Sequence, residues 1–349
     1  MIGRVLRRRQ EPGSIFEHVD AHVRPDVIGL AEGGAVLPDE HLVADDGVHF
    51  APGARDGIFS GPDDSEYGRA AVERVYDALA ALAAKPTAAT RRRLREVFRE
   101  GNVRQRIDPL RERLGSSPPA GAERLYPELR ELFLRSGHRD EVKYALSLMS
   151  GFRQPADADL FRVIGRHEEF TLYAAVALAL VSDDPLGEWL ALLPHVRRFG
   201  RNELAGLILR EPRSREVREQ LVSQGLGAGN GLVLAAGCRL DELMARPWVD
   251  ARVLAGAREI LDSLIWNLDS AYDLTDYPDA GVAVEHFLAR LSERSLAPGE
   301  ARTVAELRRF LFRAGACPAE LPGDVRLAAC GLDHERLARV YAACEALLA

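Results

Sequence analysis

Three residues near the start of the chain carry the most specific chemistry. His18, Asp20 and His22, in the run His-Val-Asp-Ala-His, combine imidazole with carboxylate. That is a donor set for a divalent ion such as zinc. On a strand, alternate residues share a face, so the three would project together. His41 and His49 follow, placing four of the nine histidines in the first 50 residues. The plainer alternative is a solvated strand face, because no His-Glu-x-x-His or other established zinc spacing occurs.

A second concentration lies at 266–279, with four acids and three aromatics. Trp266, Asp269, Tyr272, Asp273, Asp276 and Tyr277 mix charge with aromatic surface, the composition of a partner-binding hot spot. Asp269 and Asp273 would share a helix face and could receive a basic partner or a metal. The plainer alternative is a capped helix end and an acidic loop. Arginines cluster at 91–106 and again at Arg197, Arg198 and Arg201, where forked guanidinium groups suit phosphate or carboxylate. Glutamates interleave the first cluster (Glu96, Glu100, Glu112), which fits salt-bridged helix faces equally well. The loop Gly225-Leu-Gly-Ala-Gly-Asn-Gly231 lacks both the Lys-Ser/Thr of a phosphate loop and a preceding strand, so it reads as an inter-helix turn. No Gly-x-Ser-x-Gly or recognisable cysteine nucleophile motif is present.

Two kinds of element must position these residues. Residues 14–60 hold short apolar runs separated by Gly33-Gly34, Asp46-Gly47, Pro52-Gly53 and Asp56-Gly57. Asp-Gly between apolar runs is a hairpin signal, so residues 1–60 are expected to form a small β-rich or extended lobe. After Gly61 the apolar spacing turns helical, with Val72, Val75, Leu79 and Leu82 at steps of three and four. Helical runs continue to 348, broken at Ser116-Ser117-Pro118-Pro119. Asp184-Pro185 is an N-cap followed by the first helical position, and Thr303 with Glu306 fits a capping box. The expected fold is therefore mainly α, with residues 61–349 as one helical domain ending in helices over 280–349.

Within it, three small-residue apolar helices recur about 30 residues apart, at Glu169–Leu180, Arg198–Leu209 and Gly229–Ala236. Each follows a shorter amphipathic segment: Leu160–Ile164, Trp189–Leu193 and Val217–Val222. This rhythm, with Arg201 entering one inner helix, resembles HEAT-like α-solenoid repeats over 157–268. The aspartate and arginine that mark stricter HEAT repeats do not recur at fixed positions. The resemblance implies a protein-binding scaffold, since members of that class mostly bind proteins and a minority bind DNA.

Composition narrows the rest. With 349 residues, 47% apolar and 28% charged, the chain can bury a core without disulfide or metal. Its 46 basic against 53 acidic side chains argue against bulk nucleic-acid binding. Of the 46 bases only Lys85 and Lys143 are lysine, leaving 44 arginines; with abundant alanine and rare asparagine this reads as a GC-rich coding bias of bacterial type. The four cysteines form no Cys-x-x-Cys pair and are expected as free thiols in a reducing cytoplasm. No apolar run reaches membrane-spanning length, and the basic Arg4, Arg7, Arg8 and Arg9 are not followed by a signal-type apolar stretch. The expected function is non-catalytic protein recognition, without cofactor. A metal-dependent enzyme built on the N-terminal histidines and a DNA-binding or DNA-repair helical protein are the alternatives.

Overall fold

The computed structural model describes residues 12–43, 50–58, 61–210, 214–225, 230–266, 272–315 and 323–349. Among the described residues there is helix, turn and irregular chain but no strand. The chain divides into two compact units, Met1–Leu204 and Ala205–Ala349.

The first unit begins with three short helices, α1 (Ile15–His22), α2 (Glu40–Val43) and α3 (Ala54–Ile58). The β-rich reading of this lobe is corrected here. Ile15 and Val19, both fully buried, stand four residues apart, which is a helical rather than an alternating spacing. Ser14 supplies the N-cap, its hydroxyl accepting from the Glu17 N–H. Asp56-Gly57, read as a hairpin turn, lies inside α3, while Asp46-Gly47 falls outside the described residues.

This arm lies along its own chain. The Ile15 N–H donates to the Ser136 carbonyl and the Ser14 hydroxyl to that of Leu134. The Gly29 N–H reaches the His195 carbonyl.

The body of the unit is α4 (Glu66–Ala84), α5 (Ala88–Phe98), α6 (Val103–Ser116), α7 (Leu125–Arg135), α8 (Arg139–Met149), α9 (Ala158–Ile164), α10 (Thr171–Val181), α11 (Pro185–Leu192) and α12 (Arg198–Leu209), the last crossing into the second unit. Local chemistry sets their ends. Ser65, Thr87 and Asn102 cap α4, α5 and α6, and Asp184 caps α11 with Pro185 next, as expected. The predicted stripe of α4 is buried at Val72, Val75, Leu79 and Leu82. α8 is the central helix: it packs on α5, α6, α7 and α10, and Glu141–Met149 is buried throughout. A helix covered on all sides must be apolar or internally paired, and α8 carries Glu141 and Lys143 among its apolar residues.

The second unit contains α13 (Arg215–Ser223), α14 (Gly231–Gly237), α15 (Leu240–Met244), α16 (Ala251–Trp266), α17 (Ala280–Ser292), α18 (Pro298–Gly315), α19 (Gly323–Ala329) and α20 (His334–Leu348). α13 and α14 both pack chiefly on α16, while α17 packs on α15 and α20. The Thr303–Glu306 capping box is corrected. α18 starts five residues earlier at Pro298, so Thr303 is interior, buried, and turns its hydroxyl back to the Gly299 carbonyl.

Candidate functional site

The helical geometry of α1 rearranges the N-terminal trio. His18 and His22, four residues apart, share a face with ring centroids 4.5 Å apart, whereas Asp20 is exposed elsewhere on the helix. The period-two argument that joined all three therefore lapses. His22 Nδ1 bonds the His18 carbonyl at 2.7 Å, and His18 Nε2 is buried with no hydrogen-bond partner. Burial, with His22 beside it, lowers the His18 pKa. His41 is exposed; His49 lies outside the described residues. Among the described residues no three His, Cys, Asp or Glu side chains converge in a metal-binding group.

The acidic-aromatic segment lies in the second unit. Trp266 ends α16 and is 38% exposed, with the Arg302 guanidinium 5.1 Å from its ring centre. Tyr272 is 54% exposed. Asp273 and Asp276 cap a short 3₁₀ turn at Leu274–Asp276 and both accept from Arg326. Asp269 falls outside the described residues. Tyr277, expected on the same surface, belongs instead to the core at 1% exposure. Its hydroxyl donates to Asp241 Oδ1 at 2.9 Å and accepts from the Asp241 N–H at 3.1 Å.

Arg197 and Arg198 are exposed in the first unit, and Arg201 is half-buried in α12. Burial pushes the neighbouring Glu168 carboxyl up to about 7, against the opposing pull of Arg198 and Arg197. The basic stretch of α5 is largely matched by acids: Arg91 pairs with Glu128 at 2.6 Å, and both Arg95 and Arg99 pair with Glu141.

The densest polar constellation was not foreseen. Lys143, 2% exposed on α8, donates to Asp56 Oδ2 and Glu169 Oε1, each at 2.6 Å. Glu169 also accepts from the Gly53 N–H at 2.8 Å. One turn earlier, Arg139 forks onto Asp39 and Glu40, both brought by the arm. Gly53 is required at its place twice over: its φ is +78°, and a Cβ there would stand 2.7 Å from the Glu168 carbonyl oxygen. His167 completes the wall, its Nδ1 accepting from the Glu169 N–H and its Nε2 facing the Ala35 carbonyl. The first bond makes Nδ1 the acceptor, so the neutral ring carries its proton on Nε2.

The charges fix one another. Burial works against the Lys143 ammonium, but Glu169, Tyr173 and Asp56 raise its pKa well above the ordinary lysine value. Burial alone would raise the Glu169 carboxyl, yet Lys143 and Arg139 hold it down to about 2. Burial pushes Asp140 up to about 6 and His167 down to about 4. A cavity of about 30 Å³ lies among Asn102, Arg139, Asp140, Lys143 and Glu169. It has room for a water or two, and Asn102 Nδ2 is buried there without a partner. A lysine locked as ammonium is neither a nucleophile nor a base. The cluster is chemically a clamp between arm and body. The available sequence signal was slight: a single lysine inside an apolar run, in a chain that otherwise uses arginine.

No protein-family model, no curated protein and no solved structure matches the chain.

Proposed function

We propose that the chain is a non-catalytic helical protein that recognises another protein, with its contact surface on the second unit around Trp266, Tyr272, Asp273 and Asp276. The observation that carries this reading is the exposure of Tyr272 and of Trp266 with Arg302 over its ring, because tryptophan, tyrosine and arginine dominate interface energetics. By contrast the Lys143 ammonium is enclosed and held between the Asp56 and Glu169 carboxylates. Arg197, Arg198 and Arg201 form a second candidate edge on the first unit. A HEAT-like succession of helix pairs over 157–268 is the form of the fold that accompanies this function; the packing of α10 on both α9 and α11 supports it. Work in the reducing cytoplasm is part of the proposal, supported by the buried free thiols of Cys238, Cys330 and Cys344. The net charge of −7 and the glutamate-paired arginines of α5 favour a protein partner over nucleic acid.

The test compares proteins captured from source cells by the full chain and by a Trp266→Ser, Tyr272→Ser double variant. The reading expects a specific protein to be lost from the variant while its thermal unfolding stays unchanged. An identical captured set refutes the assigned surface. Stoichiometric zinc that disappears on His18→Ala, His22→Ala would replace it with the metal-enzyme reading. Salt-sensitive duplex binding lost on changing Arg197, Arg198 and Arg201 would replace it with the DNA-binding one.

A further inference from the structure

The first unit also carries an apolar groove of about 510 Å³, walled by α4, α6, α7, α8 and α10. Leu114, Leu148, Phe152 and Leu180 supply its apolar surface, backed by the buried Leu79 and Leu125. Among the described residues its charged lining is two arginines, Arg111 and Arg153, with no Asp or Glu, in a chain where acids outnumber bases.

Arg111 reaches Ser150 with its side chain, whereas Arg153 meets it through the backbone and lines the groove three residues on. Arg111 Nη2 donates to the Ser150 hydroxyl and the Ser147 carbonyl, each at 2.8 Å, and the Arg153 N–H donates to the Ser150 carbonyl. Among the described residues neither side chain makes an ion pair; Asp108, which acts on Arg111 electrostatically, pairs with Arg104. A guanidinium has five N–H donors, so the remaining N–H groups of Arg111 keep their capacity at the groove wall. Arg153 moreover holds a left-handed backbone (φ 50°, ψ 47°) that costs a non-glycine residue energy. Two glycines line the same groove without needing a glycine backbone. Gly115 and Gly151 have ordinary φ, and a Cβ at either would meet nothing within 4 Å.

We propose that this groove binds a fatty acid, its acyl chain lying on the leucines and Phe152 and its carboxylate on Arg111 and Arg153 at the Ser150 end. The volume falls in the range of small-molecule sites. Charge favours a single anionic head, since forked guanidinium groups match a carboxylate.

The test is calorimetric titration of the delipidated full chain with dodecanoate and, in parallel, with dodecanol. One site per chain is expected, with the alcohol bound at least tenfold more weakly, since hydrogen bonds to a charged group contribute about that factor. Arg153→Gly should weaken dodecanoate several-fold without lowering the thermal midpoint, because glycine suits that backbone. Gly115→Leu should fill the groove and abolish binding of both ligands while leaving the helix intact. No dodecanoate binding, equal affinity for the alcohol, or undiminished binding by Gly115→Leu would each overturn the assignment. A partner peptide displaced by Gly115→Leu, with no fatty acid bound, would overturn it too and make the groove a peptide site.

Discussion

Lys143→Met tests whether the arm is clamped electrostatically. The variant keeps the stem of the side chain but removes the ammonium that both Asp56 and Glu169 meet at 2.6 Å. Two carboxylates are then left in a site where Lys143 itself is 2% exposed. Glu169 retains the Gly53 N–H, and Asp56 loses its ion pair with the ammonium. Breaking a buried pair by deleting one partner costs about 3–5 kcal/mol. For a unit of roughly 200 residues, each kcal/mol moves the midpoint by about 2–4 °C, so a fall of about 6–20 °C is expected. Lys143→Arg should also destabilise, by about 1–3 kcal/mol, because the larger head must push aside carboxylates next to a cavity of only about 30 Å³. That outcome would explain a lysine here in a chain with 44 arginines. Adding Glu169→Gln to Lys143→Met should return more than about 1 kcal/mol, the signature of directly coupled sites. The assays are calorimetry, urea midpoints and limited proteolysis of the arm, which should become faster in Lys143→Met. A loss below about 1 kcal/mol, or full stability of Lys143→Arg, would refute the clamp.

Three further outcomes are expected, one beside the clamp and two in the second unit. The Asp140 carboxyl, raised to about 6 in the fold, contributes stability at low pH that is lost as pH rises through 6. Asp140→Asn should therefore be more stable than the parent at pH 8, by about 3 kcal/mol, with the advantage shrinking below pH 6; urea midpoints across pH 4–8 measure it. Tyr277→Phe should cost about 1–3 kcal/mol in urea unfolding, because the buried Asp241 N–H and carboxylate lose their shared partner; a change under about 0.5 kcal/mol would contradict the core placement. Burial pushes the Cys238 and Cys344 thiols up to about 12, so maleimide at pH 7 should label neither in the native protein and both after denaturation, as peptide mapping would read.

Much of the helical body was legible because helix formation is a local matter. The stripe from Val72 to Leu82, the Asp184-Pro185 start of α11 and the apolar run that became α10 all announce themselves within a few residues. The N-terminal lobe misled because glycine-aspartate turns look alike whether they join strands or short helices, and only the four-residue step from Ile15 to Val19 spoke for helix. Thr303 misled because a cap is defined by where the helix starts, and α18 starts upstream.

The sequence by itself determined the mainly helical class, the breaks between helices and the overall charge, since these depend on spacing and composition. Tertiary structure alone decided which charges meet. Asp39 and Arg139 are 100 residues apart, and Asp56 and Lys143 are 87 apart. No local pattern records such a pair, because its energy exists only once both partners have left water together. The same holds for the groove at Ser150. Arg111 and Arg153 read as two more arginines in an arginine-rich chain, and only folding brings both to the lining of one apolar groove.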